Sequence, residues 1–383
     1  MPRVTLFIDS LGAGGAQSQL ALLAAGLDRA RWQPSVAFYN PHGQFRTFPA
    51  DVPVERLPRR HRLDPAFARA VFGLLSPHRS DLVHAWLQAP SIYAALARTV
   101  PRRTLLGTAR VPLVTAIRCS VSLFQSDPKV GAMHLAAAHL GDHTTVNSRE
   151  IIDWLAARGV DRNSMTFLPN ALSPAITHRL ASTLAERRAF LAHLGLDPDR
   201  PPLTLIGRFD RYKNHDGLLR AVLRLRAAGE ALPPVLMVGA PEEPARVAKV
   251  REMAAEVGFT DLHVAAPVAD VATLVEASRL TVLASHSEGT PNVVLEALGL
   301  GGLVVATRVG EVPALVEDGI TGLLCEPGDE ALAARLRDAL HLPEAEVRAI
   351  GARARTAMRQ RYAIEAIAAQ TADLYDDVRA RHR

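Results

Sequence analysis

Short hydrophobic runs alternate with Ala- and Leu-rich stretches along the whole chain. The apolar runs have the length of buried strands, and segments such as 17–27 and 214–227 carry apolar residues at helical spacing. The strand candidates are 4–9, 35–40, 81–86, 104–110, 143–147 and 165–170 in the first half, and 202–208, 235–239, 262–267, 280–285, 303–308 and 321–326 in the second. This alternation predicts α/β domains with parallel sheets and helices on both faces.

Twelve predicted strands are more than one open sheet usually holds, and 383 residues suit two domains of roughly 180 residues each. We predict two facing, doubly wound, Rossmann-like domains at 1–175 and 176–361, with the break in the polar stretch 172–200. A helical segment at about 362–383 is expected to pack back on the first domain. Ligands of such sheets bind at the carboxyl ends of the strands, so we expect a cleft between two such ends.

Composition places the chain among globular proteins, with 48% hydrophobic and 22% charged residues. The first apolar run ends at Asp9, too early for a signal peptide, and no stretch reaches the roughly 18 apolar residues of a membrane span. Cys119 and Cys325 give neither a disulfide framework nor metal-ligand spacing. We therefore expect a cytoplasmic protein.

Positive charge is concentrated in the first half of the chain. Residues 1–175 hold 19 Lys+Arg and 11 Asp+Glu, a balance of +8, whereas the remainder balances at −3, giving the overall +5. Such a half favours anionic partners, including an acidic membrane surface on which the protein would be peripheral. The alternative is an Arg-rich, solvated surface. Aromatic residues are too few, at 5%, to interleave with the basic ones, which argues against nucleic acid.

The stretch GRFDRYKN (207–214) follows a predicted strand and opens a helix. Gly207 permits close approach of a ligand to the backbone, Arg208 offers a fork for phosphate oxygens and Lys213 a point charge. Together with the helix N-terminus at Asn214, they form a candidate diphosphate clamp. A surface Arg and Lys at a helix start remain the alternative.

The stretch SHSEGTPNVVLEALGLGG (285–302) holds two carboxylates and a helix-start signal. Thr290 is the expected N-cap, Pro291 the first helical residue and Gly301 the end of the helix. Glu288 then lies in the loop before the helix and Glu296 in its second turn.

Free backbone N–H groups near 289–293 are expected to point into the same space as the two carboxylates of this stretch. Carboxylates accept hydrogen bonds from hydroxyls and N–H groups donate to sugar oxygens, so the arrangement favours polyol binding. A loop Glu and a helix Glu paired with an Arg are the alternative.

The stretch SLGAGGAQSQL (10–20) follows the first strand, with a tight turn at Gly12, Gly14 and Gly15 and a helix from Ala16. Its GxGG pattern is not the dinucleotide fingerprint, and no acid follows the second strand at Asn40, which disfavours nicotinamide binding. The loop either packs close to another domain or lets a phosphate or an acceptor approach the backbone.

Two candidates for the acceptor side lie at predicted strand ends, His84 in DLVHAW and Arg110 in GTARVP. A hydrogen-bonded structural role for His84 is the alternative. Nucleophile-elbow, zinc-pair and phosphate-loop motifs do not occur, and the nearest Asp-x-Asp pattern, 197–199, falls in the interdomain stretch. No metal or cofactor is therefore expected.

The ordered set GRFDRYKN, SEGTPNVVLEAL and VVATRVGEVPALVEDGITGLLCEPGD closely resembles the C-terminal half of glycosyltransferase family 4. Members of that family are retaining group 1 glycosyltransferases with the GT-B architecture of two facing Rossmann-like domains. The resemblance is strong over 200–330. It continues more weakly in the Gly-Gly loop, DLVHAW and 146–172, and YAIEAIAAQTADLYDDV resembles the family's crossover helix.

The resemblance implies a role for each matching position. It assigns the donor diphosphate to Arg208 and Lys213, the hydroxyls of the donor sugar to Glu288, and the ribose to Glu296. It also implies a sugar pocket lined by the main chain of Gly289, Thr290, Pro291 and Asn292, with Gly14 and Gly15 beside the diphosphate from the opposite domain.

Three positions depart from the family pattern. Many relatives carry a pocket His where Arg110 stands in GTAR, and an always-charged Arg stabilises charge but cannot act as a base. The chain also has PNA at 169–171 where PNG is usual, and GGAQ where an acid is common in the last position. The acceptor side is therefore less defined than the donor side.

The expected function is transfer of a sugar, with retention, from a nucleoside diphosphate sugar to a lipid-linked, saccharide or small-molecule acceptor in envelope polysaccharide or glycoconjugate synthesis. Two alternatives stay open, a non-catalytic sugar-nucleotide-binding scaffold and a sugar-nucleotide epimerase. The base, the sugar and the acceptor are not defined by the sequence.

Overall fold

The computed structural model describes residues 1–12, 14–41, 47–61, 64–99 and 111–382. The chain forms two compact units. Unit 1 comprises Met1–Ala171 together with Ile364–Arg383, and unit 2 comprises Leu172–Ala363. The sequence placed the first division at 175/176 and the second at about 362. Within the described ranges, no helix is both long and apolar enough to span a bilayer.

Unit 1 contains a seven-stranded sheet in the order β3-β2-β1-β4-β5-β6-β7, in which every pair is parallel. The central strands are buried along their whole length, as expected for strands covered by helices on both faces. The strands are β1 (Arg3–Phe7), β2 (Gln33–Phe38), β3 (Val54–Arg56), β4 (Leu82–Trp86), β5 (Leu113–Ile117), β6 (His143–Val146) and β7 (Met165–Phe167).

The helices of unit 1 often begin at a capping side chain. Asp64 accepts from the N–H of Ala66 and Asp127 from that of Lys129, each before a proline at the first helical position. The helices are α1 (Gly15–Gly26), α2 (Pro65–Leu74), α3 (Gln88–Thr99), α4 (Val121–Ser126), α5 (Pro128–Leu140) and α6 (Arg149–Ala156), followed by a 3₁₀ turn at Arg162–Ser164.

Unit 2 contains a six-stranded parallel sheet in the order β10-β9-β8-β11-β12-β13. Its strands are β8 (Leu203–Ile206), β9 (Val235–Val238), β10 (Leu262–Ala265), β11 (Leu280–Leu283), β12 (Val304–Thr307) and β13 (Leu323–Cys325). The helices of unit 2 are α7 (Pro174–Thr177), α8 (Leu184–His193), α9 (His215–Ala227), α10 (Pro244–Glu256), α11 (Val271–Ala277), α12 (Asn292–Leu300), α13 (Val312–Leu315), α14 (Asp329–His341) and α15 (Glu344–Tyr362).

The last helix, α16 (Ile364–Ala380), packs into the core of unit 1. The ring of Tyr375 is fully buried and stands edge-on to Trp32, with the ring centroids 5.3 Å apart. The carboxylate of Asp376 accepts a hydrogen bond from the indole N–H of Trp32 at 3.0 Å. These contacts make α16 part of unit 1 although it follows unit 2 in the chain.

The predicted α/β class with two doubly wound parallel sheets is confirmed, and each of the six strands predicted in the second half is present. In the first half, the prediction missed the short strand β3 and the central strand β5. The predicted strand 104–110 lies outside the described residues. The strand that pairs between β4 and β6 is Leu113–Ile117.

In each sheet, consecutive strands are added first on one side of the starting strand and then on the other, so the strand order reverses once. The reversal falls between β1 and β4 in unit 1 and between β8 and β11 in unit 2. In open α/β sheets, the crevice outside the carboxyl ends of these two strands is where ligands bind. The loops that follow β8 and β11 are therefore the first place to search unit 2 for a site.

Candidate functional site

The two loops at the reversal point of unit 2 are tied together by hydrogen bonds. The β8–α9 loop comprises residues 207–214, and the β11–α12 loop comprises residues 284–291. The N–H of His286 donates to the carbonyl of Tyr212 at 2.8 Å, and the side-chain amide of Asn214 donates to the carbonyl of Ala284 at 3.1 Å. The prediction that these two separate stretches meet is confirmed.

The β8–α9 loop is held in shape by its own polar side chains. A carboxylate oxygen of Asp210 accepts from the backbone N–H groups of Tyr212 and Lys213, at 2.9 and 3.1 Å. Asn214 is left-handed, with φ 55 and ψ 46, and caps α9 by accepting from the N–H of Gly217. These contacts fix the direction in which Lys213 leaves the loop.

Lys213 and Glu288 form an ion pair across the two loops. The ammonium group lies 2.7 Å from Oε1 of Glu288, and the two side chains are only 18% and 11% exposed. The hydroxyl of Ser285, which is fully buried, donates to the same oxygen at 2.6 Å. Ser285 was not singled out from the sequence, although its place at the strand end before Glu288 is a usable signal.

A third loop, between β12 and α13, supports the β11–α12 loop from beneath. The hydroxyl of Thr307 donates to the carbonyl of Ser285 at 2.7 Å, and the N–H of Glu311 donates to the carbonyl of Gly289 at 3.1 Å. Gly310 has φ +51, and a Cβ there would lie 2.1 Å from the carbonyl oxygen of Glu288. The sequence showed these residues only as part of a family stretch and gave them no role.

The start of α12 differs from the prediction by one residue. The helix begins at Asn292, and Pro291 holds the capping position because its ψ of 114 is extended rather than helical. The assignments of Thr290 as N-cap and Pro291 as first helical residue were therefore wrong. Glu296 is half-buried in the second turn, and Gly301 ends the helix in the left-handed region, both as predicted.

The structure does not bring Arg208 together with Lys213 and Glu288. Its side chain is 59% exposed, and its guanidinium donates to Glu242 at 2.7 Å with Asp210 at 3.5 Å. Gly207 lies under the methylene chain of Lys213, which a Cβ would approach to 3.2 Å. Gly207 therefore leaves room for Lys213.

His215, the first residue of α9, adds no positive charge to the site. Its ring stacks on Phe209 at 4.0 Å between centroids. Burial lowers its pKa to about 4, despite opposing interactions with the backbone of Gly207 and with Asp210, so the ring is neutral at pH 7. The cationic side chains of the β8–α9 loop are thus Arg208, Arg211 and Lys213, of which Lys213 contacts Glu288, and the N-termini of α9 and α12 add partial positive charge.

In unit 1, the glycine loop follows β1 at the carboxyl edge of the sheet. Gly14 is extended, with φ 177 and ψ 155, and caps α1, which begins at Gly15 rather than at the predicted Ala16. Asp9 at the end of β1 accepts hydrogen bonds from the backbone N–H of Ser10 and the side chain of Gln17. Burial raises the pKa of Asp9, and these hydrogen bonds partly offset the rise.

His84 lies in the interior of a strand rather than at its end, and its contacts are those of a core residue. It lies within β4 and is fully buried. Nδ1 is 2.7 Å from the hydroxyl of Tyr375, and Nε2 is 3.1 Å from that of Thr145. Burial, with the neighbouring charge of Arg118, keeps its pKa well below the ordinary value. Both nitrogens are thus used inside the core, which matches the structural alternative.

Arg110, the second acceptor-side candidate, lies outside the described residues. The residue that follows the strand paired between β4 and β6 is Arg118. The Arg that leaves the carboxyl end of this strand in the structure is therefore Arg118. The signal was present in the sequence as LVTAIR, an apolar run that ends at a charge, but the neighbouring run 104–110 was chosen instead.

Comparison with known families gives two matches that follow each other along the chain. Residues 13–175 match the family described as "Glycosyltransferase Family 4", and residues 200–341 match "Glycosyl transferases group 1". Among solved structures, Anabaena HepE in complex with UDP and glucose superposes with a TM-score of 0.82 at 19% identity, covering 98% of this chain and 100% of that one. At this identity the likeness concerns the fold, which is GT-B.

Two curated relatives show the same kinship at the level of sequence. The α-maltose-1-phosphate synthase of Mycobacterium tuberculosis is 29% identical over 245 residues, which cover 58% of this chain and 62% of that protein. The D-inositol 3-phosphate glycosyltransferase of Acidothermus cellulolyticus is 31% identical over 207 residues, covering 51% and 44%. The chain thus matches less than two thirds of the length of these relatives. Matched by both family descriptions, one in each half, the chain belongs to glycosyltransferase family 4, among the group 1 glycosyltransferases.

Proposed function

We propose that the protein transfers a sugar, with retention of anomeric configuration, from a nucleoside diphosphate sugar to an acceptor. The observation that carries this proposal is the pairing of Lys213 with Glu288 at the reversal point of unit 2. A cation for phosphate and a carboxylate for hydroxyls stand side by side there, as the two ends of a sugar diphosphate require. That fold neighbours were solved with UDP and with UDP-glucose supports the donor class.

The diphosphate is assigned to Lys213, Arg208 and the N-terminus of α9. In the reaction, negative charge grows on the oxygen of the leaving diphosphate, and fixed cations that face this oxygen lower the barrier. Lys213 is already held in place by the shape of its loop. Arg208 would have to leave Glu242 to take part, which an exposed ion pair permits at a cost of about 0.2–1 kcal/mol.

The sugar is assigned to Glu288 and the main chain of residues 289–292. Oε1 of Glu288 is used by Lys213 and Ser285, whereas Oε2 has no partner among the described residues. This oxygen is therefore the one that would accept a hydrogen bond from a sugar hydroxyl. Glu296, in the second turn of α12, is assigned to the ribose. No metal or cofactor is required in this proposal, because the chain's own cations stabilise the leaving group.

The proposal is tested with a panel of UDP-, GDP- and ADP-sugars and candidate acceptors, with product detected by mass spectrometry. Glu288→Gln should lower turnover by about 100-fold or more, the usual effect of losing a group that acts on the reacting sugar. The matched control is Glu330→Gln, an exposed acid of the same unit. Transfer that survives in Glu288→Gln would contradict the site. Binding of a nucleotide sugar without any turnover would favour a scaffold.

Two finer parts of the proposal have their own readouts. The anomeric configuration of the product, read by NMR coupling constants, decides between retention and inversion. Activity after exhaustive treatment with EDTA decides whether the reaction needs a divalent metal, and full activity is expected.

A further inference from the structure

Arg118 stands next to the reversal point of unit 1. It follows β5, and β5 pairs with β4, the strand that flanks the reversal. Its side chain runs past the end of β6 to the segment after β7, where Nη1 donates to the carbonyl of Leu168 at 2.7 Å. A longer contact of 3.5 Å joins the same nitrogen to Asn170. The guanidinium is thus anchored through Nη1 alone, at the carboxyl edge of the sheet.

The other edge of this guanidinium has no acceptor within the described ranges. Nε of Arg118 is buried and unpaired, and Nη2 has no hydrogen-bond partner among the described residues. Nε–H and the neighbouring Nη2–H form the side-on pair of donors that a carboxylate or a phosphate engages with two oxygens. An unpaired buried donor is rare in folded proteins and is often explained by a missing ligand.

Trp86, at the end of β4, completes the arrangement. Its ring lies under the guanidinium, with Cζ of Arg118 4.6 Å from the ring centroid, which fixes the plane of the cation. The indole N–H of Trp86 is also buried, and no described residue accepts from it. The next residue, Leu87, has φ 70, a strained backbone conformation that positions the turn after β4. Two side chains that contact each other therefore each carry an unsatisfied donor.

No carboxylate of the described residues neutralises Arg118. The titratable groups that interact with it in the core are His84 and Tyr375, which burial keeps uncharged at neutral pH by lowering the pKa of the first and raising that of the second. Burial lowers the pKa of Arg118 itself to about 10, so the guanidinium remains cationic at pH 7. A half-buried cation without a counter-charge is unfavourable unless an anion joins it.

We propose that Arg118, with Trp86, binds an acidic group of the acceptor, either a phosphate or a carboxylate. This inference rests on the proposed function, which supplies an acceptor. The shared chemistry, a doubly hydrogen-bonded oxyanion, could also come from the donor diphosphate. The location favours the acceptor, because the donor groups are assigned to unit 2 and Arg118 belongs to unit 1. Neutral acceptors would leave the Nε–H and Nη2–H donors of Arg118 unpaired and should be poor substrates.

The test measures thermal stabilisation of the full chain by inorganic phosphate, against chloride at equal ionic strength, in saturating UDP. UDP occupies the site of unit 2, so any further shift reports a second anion site. The variants are Arg118→Gln and Arg118→Lys. The control is Arg158→Gln, which removes another Arg of unit 1 whose guanidinium also stacks on a tryptophan, Trp154, but at the surface.

The parent and Arg158→Gln should show the phosphate shift, and Arg118→Gln should weaken phosphate binding by about tenfold or more. Arg118→Lys should fall between them, because it keeps the charge and loses the fork. Arg118→Gln should melt at or above the parent temperature, since it removes an unneutralised charge. Were it to misfold, Arg118→Lys still decides the outcome.

Two results would overturn the proposal. One is a phosphate shift that is absent in the parent or unchanged in Arg118→Gln. The other is loss of the UDP response itself in Arg118→Gln, which would assign the fork to the donor diphosphate. If none of UDP, GDP and ADP stabilises the parent, the proposed function fails instead. The phosphate titration is then repeated without UDP in Lys213→Met, where it tests Arg118 alone.

Discussion

The Lys213–Glu288 pair makes a quantitative prediction about the stability of unit 2. Exposed pairs contribute about 0.2–1 kcal/mol, whereas breaking a buried pair costs about 3–5 kcal/mol. With side chains 18% and 11% exposed and a separation of 2.7 Å, this pair lies closer to the buried limit. We expect Lys213→Met to destabilise unit 2 by about 2–3 kcal/mol, because Glu288 then keeps its charge with only Ser285 as a donor.

Glu288→Gln should cost less, about 1–2 kcal/mol, since the amide oxygen still accepts from Ser285 and Lys213. The double variant should therefore be more stable than the sum of the two single changes predicts, by about 1–2 kcal/mol. Urea unfolding gives these energies directly. In a unit of this size, the Lys213→Met change corresponds to a fall in Tm of about 5–10 °C. Lys249→Met is the matched control: it removes a half-exposed Lys from Asp216, whose carboxylate keeps Arg220 as a partner, and it should cost under about 1 kcal/mol.

A coupling energy within about 0.3 kcal/mol of zero would refute this reasoning, because the two side chains would then act independently. A cost for Lys249→Met equal to that of Lys213→Met would also refute it, since leaving Glu288 without a cation would then cost no more than removing one of the cations that pair with Asp216.

Three further predictions concern other parts of the structure. Gly310→Ala places a Cβ 2.1 Å from the carbonyl of Glu288, so the loop must shift, and steady-state kinetics should show kcat/KM reduced by about 100-fold while circular dichroism stays native. Glu242→Gln releases Arg208 and should tighten UDP binding up to about fivefold by calorimetry; weaker binding would contradict this. Burial lowers the pKa of His134 to about 4, so the unfolded state binds the extra proton first and stability should fall by up to about 3 kcal/mol as pH drops from 6.5 to 4. His134→Leu should make this pH dependence less steep in urea unfolding, while the other buried histidines still contribute, and an unchanged slope would exclude the assignment.

The sequence predicts the donor-side loops well because local signals agree there. Gly207 and Asn214 bound a strand-to-helix turn, and Gly301 ends α12 where a left-handed residue is needed. The β8–α9 and β11–α12 loops meet because the sheet order places β8 beside β11. What the sequence could not supply is the side-chain partner: Arg208 turns to Glu242, a residue from a different strand end, and no spacing within 207–214 reveals that contact.

In the first half of the chain, the prediction missed the central strand β5. The run 104–110, which lies outside the described residues, and the run Leu113–Ile117 both have strand-like composition, and the pairing of the second with β4 and β6 is not visible in the sequence. With 104–110 as the predicted strand, the Arg expected at its end is Arg110, and Arg118 has no predicted role. His84 shows a related limit: its partners Tyr375 and Thr145 are far away in the chain, and periodicity does not report such contacts.

The most direct test of the account is thermal stabilisation of the protein by nucleoside diphosphates. At about 100 times its dissociation constant, a ligand adds roughly 2.7 kcal/mol to stability. We predict that at least one of UDP, GDP and ADP produces such a shift in the parent and in the control Lys249→Met, and that Lys213→Met abolishes it. If no nucleoside diphosphate shifts the parent, or if Lys213→Met responds as the parent does, the Lys213–Glu288 site does not bind the donor.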